Sequence, residues 1–392
     1  MNTAHDDSAV SAARQRVLAD VGWGERVDWR QPRNACLWIF LAVIGYGLWY
    51  TVTMVRTGSR SYGEPLAINT AIFAAYAVIF WWFTTRIDRY SRQPLDLRIA
   101  AFIWGGFGAT WTIAIHANTA LIGIYSKVIS NNFAVAWGAG LAAPFVEETA
   151  KGAGVLLLMF IARNVVRTAF DGFVLGAFAG LGFEIVEDIL YAFNSAQDDF
   201  GVDPVGSSLD TSLLRLGTGF TSHILYSAVF CAGVVYLVGT VAERRRVGRG
   251  LALCAAAMAL HLVWDSTAAI AQGNGPVVLA LLAGSVFVAF GVVLVAFRLS
   301  VAAERQAMRE LMAPEVDAGR LTEEELEALA GSWRQRRSYR RKGGVRDRRR
   351  RSHRLEAAHD LADALGAARG AETERVSFAR SELARFEAST ET

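Results

Sequence analysis

Charge is scarce in this 392-residue chain. Only 20% of residues are Asp, Glu, Lys or Arg and 53% are hydrophobic, against ~25% charged in an average soluble domain. The shortage is local. Between Cys36 and Arg298 long apolar runs follow one another, and beyond Arg298 an ordinary polar composition returns. This excludes a single water-soluble globule and disorder of the whole chain. The three cysteines, Cys36, Cys231 and Cys254, all fall within apolar runs, so no disulfide framework is indicated. The formal net charge is only +3, which points to no particular partner, and no fixed-period repeat is present.

What is there in abundance is helix-length apolar sequence. A transmembrane helix needs about 20 mainly apolar residues. Eight such runs are read here, at about 36–55, 66–85, 99–117, 133–160, 170–193, 213–239, 250–271 and 276–297. The first starts too far in and is too long for a cleaved signal peptide. The expected fold is therefore all-α: a polytopic transmembrane bundle of about eight spans (36–298), preceded by a cytosolic segment (1–35) and followed by a cytosolic tail (299–392). Arginines set the direction. They gather before span one (Arg14, Arg16, Arg26, Arg30, Arg33), after span two (Arg86, Arg89, Arg92, Arg98), after span four (Arg163, Arg167) and after span six (Arg244, Arg245, Arg246, Arg249). The alternate loops are poorer, and the 194–212 loop is acidic (Asp198, Asp199, Asp203, Asp210). Both termini are expected in the cytoplasm of a bacterial-type plasma membrane, with the acidic loop outside.

In the tail, Thr322 followed by Glu325 reads as a capping box, and Leu355, Ala358, Leu361 and Leu365 mark a helical stripe. Residues 334–354 hold twelve Lys or Arg against one acid, Asp347. This segment is read as solvated or touching lipid headgroups. With only Trp333 and Tyr339 interleaved, no nucleic-acid partner is expected.

The informative residues are those that lipid disfavours. A charge at the bilayer centre costs about 2.5–3.5 kcal/mol on insertion scales. Span four nevertheless carries Glu147, Glu148 and Lys151. Span five carries Asp171 at its inner end, then Glu184, Glu187 and Asp188; span six has His223, and span seven has His261 and Asp265. Run directions and a 1.5 Å rise per residue put the central ones in one slab near the midplane and outer leaflet. Lys151 lies three and four residues from Glu148 and Glu147, within pairing reach, and His261 precedes Asp265 by one turn. Gly152, Gly154, Gly176, Gly180 and Gly182 allow close helix approach. His116 is read as a core or interface histidine. Two imidazoles with carboxylates from separate helices suit a catalytic zinc shell with an open position for water, and a further carboxylate can take that water's proton. Hydrolysis of a peptide bond and transport of protons or cations stand equal on residues alone; a non-catalytic scaffold is a third reading.

Taken in order, Glu147-Glu148-Thr149-Ala150-Lys151, Phe183-Glu184-Ile185-Val186-Glu187, His223 and His261-Leu262-Val263-Trp264-Asp265 resemble the PrsW-type intramembrane metalloproteases, distant relatives of the CAAX prenyl proteases. The resemblance covers about 133–271. His-Glu-x-x-His, Gly-x-Gly-Asp and Gly-x-Ser-Gly, the marks of other intramembrane protease classes, are absent. The resemblance implies an endopeptidase with a divalent metal, zinc being the first choice. It implies single-span membrane-anchored substrates such as anti-sigma factors, cut at site 1. It makes Glu147 and Glu148 the catalytic glutamates, Lys151 their partner, Glu187, His223 and His261 the metal ligands and Asp265 an orienting group. Which of Glu147 and Glu148 is the base stays open. The CAAX branch has His where this chain has Glu187, which argues against a prenylated substrate.

Overall fold

The computed structural model describes residues 3–219 and 223–388, which are helical with no strand among them. In chain order the helices are α1 (Thr3–Val21), α2 (Ala35–Ile87), α3 (Leu95–Ile103), a π-helical stretch (Trp104–Ala114), α4 (Ile115–Val128), α5 (Asn131–Ile161), α6 (Ala169–Ser195), α7 (Pro204–Thr218), α8 (His223–Val238), α9 (Val247–Asp265), α10 (Thr267–Ala271), α11 (Gly275–Ser300), α12 (Ala302–Asp317), α13 (Glu323–Ala330), α14 (Trp333–Arg341), α15 (Val345–Ala367) and α16 (Glu374–Ala388). A short 3-10 turn at Asp198–Gly201 precedes α7.

Among the described residues, four helical segments are long and apolar enough to cross a membrane: Ala35–Ile87, Leu95–Val128, Val247–Asp265 and Gly275–Ser300. The count is five if α7 and α8, bent by 47°, act as one. The single apolar run read at 213–239 is thus divided between two helices, and the later part of the acidic 194–212 loop belongs to α7. Asp203, whose side chain accepts from the Gly206 N–H, caps the start of α7.

α2 covers two of the apolar runs, interrupted at Tyr62 by non-helical backbone. The chain doubles back there. Phe40 stacks on Trp104 at 5.3 Å, and Trp81 meets Phe102 at 5.7 Å. A straight helix would hold residues 40 and 81 about 60 Å apart, yet they touch residues two apart in sequence.

α6 is the central post. Every residue from Ala169 to Ile185 is buried, so protein rather than lipid surrounds its first two-thirds. Glycine makes this possible. A Cβ at Gly182 would lie 2.0 Å from the Phe102 carbonyl oxygen, and one at Gly180 would lie 2.3 Å from that of His223. These contacts fasten α3 and the start of α8 against α6. The π-helical stretch follows α3; π turns are frequent near functional sites. Its Trp104 indole N–H donates to the Ala150 carbonyl at 2.9 Å, fixing α5 one residue before Lys151.

The C-terminal helices are a folded bundle that includes α1. Arg14 reaches Glu315 at 2.6 Å, and Arg380 reaches the same oxygen at 2.8 Å. Burial would raise the Glu315 pKa, but hydrogen bonds from Arg380 and Arg320 hold it down to about 2. The Thr322–Glu325 capping box forms, and Leu355, Ala358, Leu361 and Leu365 are buried. Arg354, within the segment read as solvated, is buried on Glu325 instead.

This bundle is docked on one end of the membrane-domain helices. Glu304 of α12 is buried there, accepting hydrogen bonds from Ser91 and from Thr168 Oγ1 (2.8 Å). Asp171 lies close by, capped by Thr168 and bonded to Gln93. Burial pushes the Glu304 carboxyl up to about 7, and Asp88 near it likewise to about 7. An acid whose folded pKa is raised contributes stability that is lost as pH rises from its unfolded value through the folded one. Hydrogen exchange across α12, corrected for the intrinsic pH dependence of amide exchange, should therefore quicken between about pH 4.5 and 7, and Glu304→Gln should flatten that response. An unchanged pH response in the variant would show that Glu304 is not the titrating group.

Candidate metal and active centre

Helices α5, α6, α8 and α9 send the polar residues to one place. On α5, Glu147, Glu148 and Lys151 are all buried, with Glu148 and Lys151 fully enclosed. Both oxygens of Glu148 are engaged: Oε1 receives Lys151 Nζ at 2.6 Å and faces His261 Nδ1 at 3.1 Å, and Oε2 accepts from the Ser227 hydroxyl at 3.0 Å. Glu147 is different. Its Oε1 accepts from the Asn118 amide at 2.9 Å, while its Oε2 is buried without a hydrogen-bond partner. That oxygen stands 3.7 Å from His223 Nδ1 and 3.8 Å from His261 Nε2.

Each imidazole has a carboxylate on its other side. His223 Nε2 lies 3.0 Å from Glu187 Oε2, and His261 Nδ1 lies against Glu148. Such carboxylates orient a ring and raise its basicity toward a ligand. The rings themselves meet edge to face at 4.9 Å, and Tyr226 stacks on His261 at 5.4 Å. Asp265 sits 3.3 Å from His261 Nε2.

The three acids in the second half of α6 separate by face. Glu187 turns to His223; Glu184 accepts the backbone N–H of His223 at 3.2 Å; Asp188 pairs with the Arg215 guanidinium, which also reaches Glu187 at 2.8 Å. The group opens into a cavity of about 450 Å³. Glu147, Glu187, His223, His261 and Asp265 line it together with Asn118 and Arg215, and Ile115, Ile122 and Leu190 are part of its apolar wall. A shaped cavity that joins an apolar surface to convergent polar groups is what a small-substrate or peptide site requires.

The fit to a metal ion can be judged on these atoms. Among the described residues, Glu147, His223 and His261 can each offer one ligand atom such that all three lie within 4.8 Å of one another. Two imidazoles and a carboxylate with an orphaned oxygen are a suitable donor set for a catalytic metal. Lys151 Nζ stands 2.9 Å from His223 Nδ1 and 3.9 Å from Glu147 Oε2, so a cation held by those two atoms requires the ammonium to draw away from them and keep only Glu148. Glu187, the expected ligand, is instead occupied by Arg215 and by the far nitrogen of His223.

The seven residues given site roles from the sequence border this one centre, Glu148 and Lys151 from behind and the other five at the cavity, whereas Asp171 lies apart, with Gln93 and Thr168. His116 does not; it lies near Tyr46 and Tyr50. Sequence reasoning passes over Arg215, Asn118 and Ser227. Arg215 carried a usable signal, an arginine inside an apolar run. Asn118 and Ser227 carried none.

A buried, carboxylate-flanked pair of histidines thus faces a cavity inside an all-helical bundle with membrane-length apolar helices. The model of the PrsW family of intramembrane metalloproteases matches residues 93–297, and the chain belongs to that family. It is accordingly a membrane-embedded peptidase, and its family implies a divalent metal. No curated protein and no solved structure matches the chain.

Proposed function

We propose that the chain cuts a peptide bond of single-span membrane proteins, regulators of the anti-sigma type being one class, with Glu147 at the reacting centre and Glu148 behind it. The observation that carries this reading is the asymmetry of the pair: both oxygens of Glu148 are engaged by Lys151, His261 and Ser227, whereas Glu147 presents to the cavity, between two imidazoles, a buried oxygen without a hydrogen-bond partner. A divalent metal, zinc by its donor set, would be held by Glu147, His223 and His261, and when bound would supply a polarised water and a Lewis acid. Glu187 and Glu148 keep the two rings in orientation. Lys151 neutralises Glu148, which leaves His261 held by a fixed charge. Asp265, lining the cavity beside His261, takes the proton from the attacking water and returns it to the leaving amine.

The apolar cavity wall suits an unwound stretch of a substrate helix. Its backbone polar groups would need shelter from lipid, which a protein-lined cavity provides.

The proposed topology has eight crossings, with both termini in the cytoplasm. Its support is that α1, the C-terminal bundle and the arginine-bearing connections lie at one end of the helices. Arg14 meets Glu315, Arg89 donates to the Gly331 carbonyl, and Arg167 contacts the Ala19 carbonyl. An even number of crossings returns the chain to its starting side, and arginine-rich loops face the cytoplasm.

Co-expression with candidate single-span proteins tests the activity. Wild type should release a shortened substrate; His223→Ala and His261→Ala should not, although both accumulate as folded membrane protein. Cleavage at the wild-type rate in either variant would remove these residues from the mechanism.

A further inference from the structure

The joint between the C-terminal bundle and the membrane helices contains a second cavity, of about 260 Å³. Its wall holds five arginines, brought from two distant parts of the chain: Arg86 in the last turn of α2 with Arg89 and Arg92 just beyond it, and Arg336 and Arg340 from α14. Like charges gather only where something offsets them. Some of the offset is visible. Arg89 donates to the Gly331 carbonyl at 2.9 Å, Arg336 to the Leu329 carbonyl at 3.0 Å, and Arg92 stands 3.7 Å from Asp363.

The acids on the cavity wall do not complete it. Asp88 is a buried carboxyl whose pKa burial raises to about 7, and Glu356 faces His353 at 3.4 Å. Asp360 is the remaining acid, and His359 gives its Nε2 to the Arg89 carbonyl. Burial and the neighbouring Arg89, Arg340 and Arg305 push the Arg336 guanidinium down to about 10. Arg340 Nε is buried and has no hydrogen-bond partner. An unpaired guanidinium donor in a wall of arginines is a vacancy for an anion with several acceptor oxygens.

Position narrows the anion's chemistry. Arg86 lies 4.6 Å over the Trp82 ring, and Trp82 and Phe83 are more than half exposed on the apolar run of α2. The cavity therefore opens where the lipid-facing surface ends and polar protein begins, the level of phosphate headgroups. We propose that this cavity binds a phosphate group, carried by an anionic lipid or free in solution, and that the bound phosphate locks the C-terminal bundle onto the membrane domain. The site is separate from the peptidase centre, and the inference does not depend on it.

The test uses the full chain in nanodiscs, with hydrogen exchange of residues 329–341 and 355–360 as readout. One arm supplies zwitterionic lipid with inorganic phosphate titrated in; the other supplies phosphatidic acid in the disc with no free phosphate. Protection in the lipid arm alone assigns the site to a headgroup; protection in the phosphate arm alone, or in both, assigns it to the phosphate group as such. Arg336→Gln with Arg340→Gln should weaken half-saturation about tenfold or more, the loss expected for a charge-assisted bond. Arg340→Lys keeps the charge and the fold but loses the fork geometry, and should weaken it as well. Arg348→Gln with Arg349→Gln, on the exposed face of α15, should leave half-saturation unchanged. No protection in either arm, or equal weakening by the α15 pair, would overturn the proposal.

Discussion

Glu147→Gln should lower the rate of substrate cleavage by about 10²–10⁴-fold, the range for loss of a group acting directly in the reaction, while the protein stays folded. The amide is nearly isosteric, and Asn118 can still donate to its carbonyl oxygen in place of Glu147 Oε1. What changes is the charge on the oxygen that faces His223 and His261. Thermal unfolding in detergent should therefore move little, and metal content should fall together with activity. The comparison that gives this meaning is Glu148→Gln, which removes charge from a group engaged at both oxygens. It should reduce activity and stability together, because Lys151 is left enclosed with its nearest counter-charge gone. If Glu147→Gln cleaves at the wild-type rate, or if Glu148→Gln is the variant that stays folded and inactive, the two roles are reversed.

Lys151→Met should cost the fold about 3–5 kcal/mol, the typical penalty for breaking a buried ion pair by removing one partner. Lys151 is fully enclosed, its ammonium 2.6 Å from Glu148, 2.9 Å from His223 Nδ1 and 4.2 Å above the Phe183 ring. Methionine fills much of the same space but leaves the Glu148 carboxylate uncompensated inside the bundle. Lys151→Met combined with Glu148→Gln should recover part of the loss, since both charges are then gone. Denaturation of the three variants in mixed micelles measures this. A single variant as stable as wild type, or a double variant worse than the sum of the two, would show that the pair does not act as a unit.

The two effects explain why the centre was legible before any coordinates. Apolar sequence makes each charged residue conspicuous, and i,i+3 and i,i+4 spacing tells which charges share a helix face. Glu148 with Lys151 and His261 with Asp265 are both read this way, and both pairs form. The division of labour between Glu147 and Glu148 was not legible, because it depends on Ser227 and Asn118, polar residues from α8 and α4 with no charge to mark them. The place of Glu187 was also out of reach. Its neighbour Arg215 arrives from α7, and an apolar run that hides a bend gives no sign of where its first half points.

The fold shows the same pattern. Hydropathy locates apolar runs but not their continuity: α2 absorbs two runs with a break at Tyr62, and 213–239 is divided between α7 and α8. In the tail the capping box and the leucine stripe were readable because both are local. The docking of that bundle was not, since it rests on long-range contacts such as Glu304 with Thr168 and Arg14 with Glu315.

That α5, α8 and α9 deliver Glu147, His223 and His261 to a common point can be measured in the membrane itself. In a chain whose Cys36, Cys231 and Cys254 are replaced by serine, cysteines are placed pairwise at 147, 223 and 261, and a short bifunctional thiol reagent is added. Intramolecular cross-linking of all three pairs, detected as linked peptides by mass spectrometry, is the expected result. A pair that is reactive at both thiols yet never joined would place those helices apart and contradict the shared centre.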